Sequence, residues 1–570
     1  MKRRDIFKGG LALFGAGFTG GGGLISSAMA AEAGKPALAG QEGRGAGADL
    51  AIVNANIITL EMAQPRVQAA QVRGGRIALL GDNAAIQAAR GNAPVYDAGG
   101  KTIVPGFVDG HVHLELTAVF LAYMVDAHTP PLKSLKEINA LMKKKVSETQ
   151  PGRWVVGRGD FNFAERVSEK RFPTRLEMDA LSDKHPVILF SGLHVAMLNT
   201  MAMKELKLWD EKDAANLKWR NGVKRIGTTV HRDDKGVPSG VVTEIADLFY
   251  DAHAFTVDEY KSAILKFTDP NFVAKGVTSV AAIPKGTYDI RAIQELNVED
   301  KLPMRMRYYI HTPLTIDIDA QLDSGLSRGF GNDMLRFGGM KIFVDGTGGD
   351  GLGKRYDDLK WDQAGLNETV WKAHSVGLQC ILHCVTRTGF DMAVAAFAAA
   401  QAKSRKDLRH RIEHVGYLTD PADIKKLIDL GVRVTITRTG PGGEGGRGAA
   451  KTAMRTMAEM GLDPLAVSDS TGTVPIFSPL GGIASMMVSP QDGGTLVPEQ
   501  VLSFDQAIRT YTLWPARALH EEHVKGSIAV GKFGDFAVLS GDPSTIKGKG
   551  LFDIKVVSTI LGGKVIYGNT

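Results

Sequence analysis

Six side chains give this sequence its chemical capacity: His111, His113, Lys341, His383, His414 and Asp469. Four imidazoles and a carboxylate form a nitrogen and oxygen donor set suited to Zn2+ or a similarly borderline divalent ion. His111 and His113 are two residues apart, and residues i and i+2 of a strand face the same side, so the pair can hold one ion. A lone histidine in an apolar strand is more often a satisfied core residue than a ligand. Only the ordered set argues for a site, and His128, His185, His253, His520 and His523 take the ordinary reading. Lys341 has two readings, because an ammonium group repels a metal. A buried lysine can lose its proton and react with carbon dioxide to give a carbamate, an anionic two-oxygen bridge, or it can form a salt bridge to Asp345. Strand parity puts Lys341 inside with Phe343 and Asp345, which is compatible with both.

The elements that must carry these residues read as strands. The apolar lead-in Thr102 to Val108 predicts one short buried strand delivering His111 and His113. The other candidates are Gly276–Val280, Leu335–Val344, Leu378–His383, Arg411–His414, Val432–Thr437 and Leu465–Asp469, alternating with longer amphipathic stretches as in repeated βα units. If such units close into a barrel, the ligands sit at the C-terminal ends of its strands, where barrel chemistry is found. The interval from His113 to Gly276 is too long for one unit and predicts an inserted subdomain over the barrel mouth, including Trp154–Asp160 and Val187–His194. Strand pairs with Gly-Gly turns lie near both ends of the chain, around Leu50–Leu80 and Gly526–Tyr567. They predict one small β-sandwich built from both terminal segments. The expected division is 49–104 and 511–570 for the sandwich and 105–510 for the barrel, with the insertion at about 120–255.

The 570 residues are 44% hydrophobic and 23% charged, enough for a large core and more than one structural unit. The formal charge of +6 is modest, and Lys2, Arg3, Arg4 and Lys8 against Asp5 supply three of the six. No dense basic run with interleaved aromatics points to nucleic acid. Residues 1–30 combine Lys2-Arg-Arg-Asp-Ile-Phe-Lys8, a Gly-rich mildly apolar stretch and Ala28-Met-Ala30. That is the order of a cleaved twin-arginine export signal, which predicts use of that export machinery and a periplasmic or secreted bacterial protein. Residues 31–48 read as a flexible linker, and no other run is apolar enough to span a bilayer. The two cysteines, Cys380 and Cys384, are about 13 Å apart along an extended strand, which predicts thiols packed outward under helices while His383 points inward.

The order of Pro-Gly-Phe-Val-Asp-Gly-His-Val-His113, Met-Lys341-Ile-Phe-Val-Asp-Gly, His383, Arg-Ile-Glu-His414, Ser-Asp469 and Gly526-Ser-Ile-x-x-Gly-Lys-x-x-Asp-Phe-Ala-Val538 resembles the amidohydrolase superfamily. More narrowly, it is similar to the branch that contains N-substituted formamide deformylase. The likeness spans about residues 49–568. It implies an α/β fold: a distorted (β/α)8 TIM-like barrel with a β-sandwich from both termini and a large insertion after the first barrel strand. It also implies two divalent ions, zinc first among them. His111, His113 and Asp469 would hold one, His383 and His414 the other, and carboxylated Lys341 would lie between them.

The chemistry implied is hydrolysis of a carbon–nitrogen amide-type bond in a small molecule by a metal-bridging hydroxide. Asp469 would be both ligand and acid/base. His194, Arg387, Arg438 and Arg447 are the candidates for substrate contact. The chain departs from the family pattern after His383 and in the Gly440–Gly448 loop, both where substrate would approach. A cyclic amide or imide hydrolase would use the same centre. A single-metal deaminase usually has Glu three residues after the third histidine, where this chain has Thr386. A non-catalytic relative should have lost ligands, and all six are present. Self-assembly into a homo-oligomer is left open.

Overall fold

A computed structural model describes residues 47–568 apart from 130, 160–162, 193–194, 216–227, 246–254, 314, 347–358, 439–450 and 471–476. Eight parallel strands form the central sheet, in chain order: β1 (Phe107–Val112), β2 (Val277–Ala282), β3 (Arg305–His311), β4 (Leu335–Phe343), β5 (Gln379–His383), β6 (Arg411–Glu413), β7 (Arg433–Thr437) and β8 (Leu465–Val467). Each pairs with its successor. Just past the strand ends, the Asp469 N–H donates to His111 O at 3.0 Å and the His113 N–H to Ser470 O at 2.8 Å, drawing the last strand onto the first. This is the expected TIM-like barrel. Its strands are buried almost throughout, as parallel strands covered by helices must be.

Strand β3 has no counterpart in the sequence reading. Arg305 and Arg307 interrupt its apolar pattern, yet both are buried because each has an anionic partner. Arg305 forms a two-point pair with Asp535 at 2.7 and 3.0 Å, and Arg307 pairs with Glu521. The lead-in to His111 also needs correction. Thr102–Pro105 and β1 are two strands in different sheets, divided at Gly106. The Gly106 N–H donates to Asp535 O at 2.9 Å, and a Cβ there would lie 2.2 Å from Thr278 Oγ1. The chain crosses between sheets where only glycine fits.

Thr102–Pro105 lies antiparallel beside Phe536–Leu539 in a six-stranded sheet ordered Lys564–Tyr567, Val556–Leu561, Phe536–Leu539, Thr102–Pro105, Asn56–Ile58, Arg66–Val67. The opposing sheet is ordered Arg76–Gly81, Ala69–Arg73, Leu50–Val53, Val95–Asp97. Ile52, Ile57, Val72 and Ile103 from the N-terminal segment share one core with Ile528, Phe536, Val538 and Ile560 from the C-terminal segment. The insertion after β1 has its own six-stranded sheet, ordered Thr229–Arg232, Pro238–Thr243, Val195–Leu198, Val187–Ser191, Val155–Gly159, Val125–Asp126. Its separate core includes Ile138, Met142, Val155, Phe163 and Leu189.

The helix Arg387–Lys403 follows β5, and Thr386 caps it by accepting from the Gly389 N–H at 3.0 Å. Cys380 packs in the apolar cluster with Phe390, Ala393 and Phe397 of that helix. Both cysteines are buried free thiols. No helix among the described residues is long and apolar enough to cross a membrane.

Candidate metal centre

His111 is the last inward residue of β1, and His113 stands at the N-cap of the next helix, Leu114–Tyr123. His111 Nδ1 is hydrogen-bonded to the Glu413 carboxylate, and His113 Nδ1 to the Ile283 carbonyl at 2.9 Å. An ionised carboxylate and a carbonyl only accept, which assigns the proton to Nδ1 in both rings and leaves a lone pair on each Nε2. The two Nε2 atoms converge on one oxygen, Asp469 Oδ1, at 3.5 and 3.6 Å. His111 Nε2 is buried and makes no hydrogen bond. One donor atom from each of His111, His113 and Asp469 lies within 4.8 Å of the others. Three inward donors with an unsatisfied nitrogen among them fit a divalent cation.

The other imidazoles continue from this point. His414 Nδ1 is 3.7 Å from Asp469 Oδ2, and the His414 ring lies 4.8 Å from that of His111 and 4.7 Å from that of His383. His383 Nε2 is 3.2 Å from Gly346 O and 3.8 Å from Asp345 Oδ1, so this ring must release the carbonyl or bind a metal through Nδ1. Both His414 (φ 69°), directly after β6, and Asp469 (φ 46°), two residues past the end of β8, adopt the left-handed backbone region. That conformation costs a side-chain-bearing residue roughly 1–3 kcal/mol and concentrates at functional sites.

Lys341 is fully buried, and its Nζ makes no hydrogen bond. The salt bridge to Asp345 does not form. The Asp345 carboxylate instead accepts from the Val385 N–H at 3.0 Å, the Thr386 N–H at 2.9 Å and the Thr386 hydroxyl at 2.7 Å. Burial pulls Lys341 down to about 8, against the opposing pull of Glu413 and Asp469. Burial thus favours the free amine, the form that can react with carbon dioxide.

The proposed substrate contacts are placed differently. Arg387 is 55% exposed and pairs with Asp391 at 2.8 Å and Asp423 at 2.5 Å. Arg438 is buried just past β7, with Nη2 3.3 Å from Thr452 Oγ1, and burial pulls its guanidinium down to about 10. His194, Arg447 and the 440–448 loop lie outside the described residues.

Two carboxylates escaped the sequence reading. Glu413 takes a two-point contact from Arg411 at 2.7 and 2.8 Å and the Thr435 hydroxyl at 3.0 Å. Burial alone would raise its carboxyl, but Arg411 and His111 outweigh that and hold it well below the usual range. Asp109 accepts from the Ser468 hydroxyl at 2.5 Å, the Ser468 N–H at 3.1 Å and the His111 N–H at 3.3 Å, tying the approach to Asp469 to β1. Parity held the signal: Asp109 shares a face with His111, and Arg411 with Glu413. His311, ending β3, was also missed; its ring lies 4.6 Å from Phe343, whose ring is 4.5 Å from His383.

The sequence profile of the amidohydrolase family matches residues 94–567. N-substituted formamide deformylase from Arthrobacter pascens is 27% identical over 564 residues, spanning 92% of this chain and 99% of the relative. An uncharacterised metal-dependent hydrolase of Pyrococcus horikoshii OT3 superposes with a TM-score of 0.67 at 21% identity, covering 88% of this chain and 99% of the other. Atrazine chlorohydrolase TrzN from Arthrobacter aurescens TC1, solved with zinc, superposes with a TM-score of 0.53 at 13% identity, covering 91% and 95%.

Proposed function

Because the chain belongs to the amidohydrolase family, we propose that this metal-dependent hydrolase cleaves a carbon–nitrogen amide-type bond of a small molecule at two divalent ions, zinc first among them. His111, His113 and Asp469 would hold one ion and His383 and His414 the other, with Lys341, carboxylated, as their shared ligand. The observation that carries the reading is the convergence of the His111 and His113 Nε2 lone pairs on one Asp469 oxygen. Divalent ions bound there would acidify a water for attack and polarise the scissile carbonyl.

The chain's own part falls to Asp469. Glu413 and Asp345 are sealed from solvent, whereas the Asp469 side chain is 16% exposed. Among these site carboxylates it is the one that water and substrate can reach. It accepts the proton of the attacking water and delivers it to the leaving nitrogen. The kinship with a formamide deformylase supports an amide-type bond. Turnover of acyl amines, N-acyl amino acids or cyclic imides by metal-loaded protein tests this, with esters as the contrast. Cleavage of esters alone would overturn the bond class.

A single-metal reaction is the second reading, favoured because only His111, His113 and Asp469 gather within 4.8 Å among the described residues. Counting ions per active chain separates the two. Residues 1–30 lie outside the described residues, and export by the twin-arginine route remains part of the proposal. Changing Arg3 and Arg4 to lysine should hold the unprocessed chain in the cytoplasm, and unchanged export would refute it.

A further inference from the structure

We propose that Glu413 is a positioning residue that sets the metal affinity of His111, with Arg411 as the cation that keeps it in place. The inference rests on the metal centre proposed above and adds a residue outside its ligand set. His111 and His113 present the same nitrogen to Asp469 but are supported differently. A neutral carbonyl, Ile283 O, accepts from His113 Nδ1, whereas a carboxylate accepts from His111 Nδ1. An anionic acceptor strengthens the imidazole as a donor more than a carbonyl does.

All the donors around Glu413 serve to fix it. Arg411 Nε contacts Oε1, while Arg411 Nη2, the Thr435 hydroxyl and His111 Nδ1 all meet Oε2. Arg411 Nη2 also donates to Gly110 O at 2.8 Å, on the residue before His111, and its guanidinium lies 5.5 Å from the Tyr309 ring. Strand β6 thus grips β1 on both sides of the ring it orients. The oxygen that meets His111 has little freedom to turn, so the Nε2 lone pair is aimed before a metal arrives.

Two variants test the role. Glu413→Gln keeps the shape and one acceptor but removes the charge, and it leaves Arg411 a buried cation without its partner. Arg411→Met with Glu413→Gln removes both charges, a replacement that often leaves stability intact. Zinc affinity is read by competition with a chromophoric chelator, the ligand field by the visible spectrum after cobalt(II) loading, and stability by thermal melting. The proposal predicts 10- to 100-fold weaker zinc binding in both variants and an altered cobalt spectrum. Melting temperature should return to near the wild-type value in the double variant while zinc affinity does not. Recovery of zinc affinity together with stability would overturn it, as would unchanged affinity in Glu413→Gln. Wild-type protein that binds no zinc or cobalt would remove the metal centre itself. A wild type that binds zinc but hydrolyses no amide would sink the proposed activity and leave this inference standing.

Discussion

A histidine that binds a metal must give up one proton and keep the other in a fixed place, and at His111 and His113 the fold does both through Nδ1. His111→Ala or His383→Ala should lose at least one ion and nearly all turnover while remaining folded, as elemental analysis beside circular dichroism would record. Lys341→Ala separates the bridge from a merely buried amine. If Lys341 is carboxylated, the variant loses metal and turnover, and acetate or propionate filling the gap restores part of both. Unchanged metal content would leave Lys341 a structural residue. Away from the site, Cys380 N–H donates to His410 Nδ1 at 2.9 Å, His410 Nε2 meets His374 Nδ1 at 3.0 Å, and His374 Nε2 meets Ser404 O at 2.6 Å. This chain requires neutral rings. Burial, with His374, His520 and Arg328 nearby, depresses His410 to about 3. A depressed histidine contributes stability above its unfolded pKa of roughly 6.5, and that contribution declines as pH falls toward 3. Urea unfolding should therefore weaken from pH 6.5 to 5, by at most ~1.4 kcal/mol per pH unit from this ring, and less steeply in His410→Gln. Equal slopes in the two proteins would refute this. The grouping of His111, His113, His383 and His414 was legible in the sequence because each lies at or just past the end of a strand candidate in order along the chain, and their rings do lie side by side. Glu413 was not, because a buried carboxylate looks like any surface Glu until Arg411 and His111 are seen around it.

Two element ends carry their conformational cost in full view: His414 and Asp469 both leave their strands through left-handed backbone. A sequence shows no φ, so nothing in Ser468-Asp469 announced it. Strand β3 was hidden for another reason, since Arg305 and Arg307 break its apolar run and their burial depends on Asp535 and Glu521, more than two hundred positions away. The strands that did read correctly, such as β4 and β5, are the ones whose apolar runs need no distant partner. Gly389, in the first turn of Arg387–Lys403, offers an element-scale test. A Cβ there would lie 2.2 Å from Asp345 Oδ2, the carboxylate that receives the N–H groups of Val385 and Thr386. Gly389→Ala should displace Asp345, cost about 1–3 kcal/mol in denaturant unfolding and weaken metal retention beside His383. Wild-type stability in that variant would mean that Asp345 moves freely.

Across the whole molecule, the barrel is fastened to the sandwich by a charge pair that neither forms alone. Asp535, just before Phe536–Leu539, binds Arg305 of β3 and also accepts from the Gly562 N–H at 2.8 Å. Asp535→Ala leaves Arg305 buried without its carboxylate and should cost about 3–5 kcal/mol of stability, with metal stoichiometry unchanged in the protein that still folds. A loss of metal from the folded fraction would mean that the sandwich shapes the centre directly. The division into barrel, two-ended sandwich and insertion was legible because glycine turns and long intervals survive in one dimension. The hinge at Gly106 was not, since Thr102 to Val108 is uniformly apolar and only the position of Thr278 makes glycine necessary. The claim on which everything else depends is that hydrolysis needs metal at His111, His113, His383, His414 and Asp469. Elemental analysis of purified protein, titrated from the chelated to the fully loaded state with amide turnover measured at each step, tests it most directly. The account predicts turnover rising with occupancy to two zinc-like ions per chain, and full turnover by protein that holds no stoichiometric metal would contradict it.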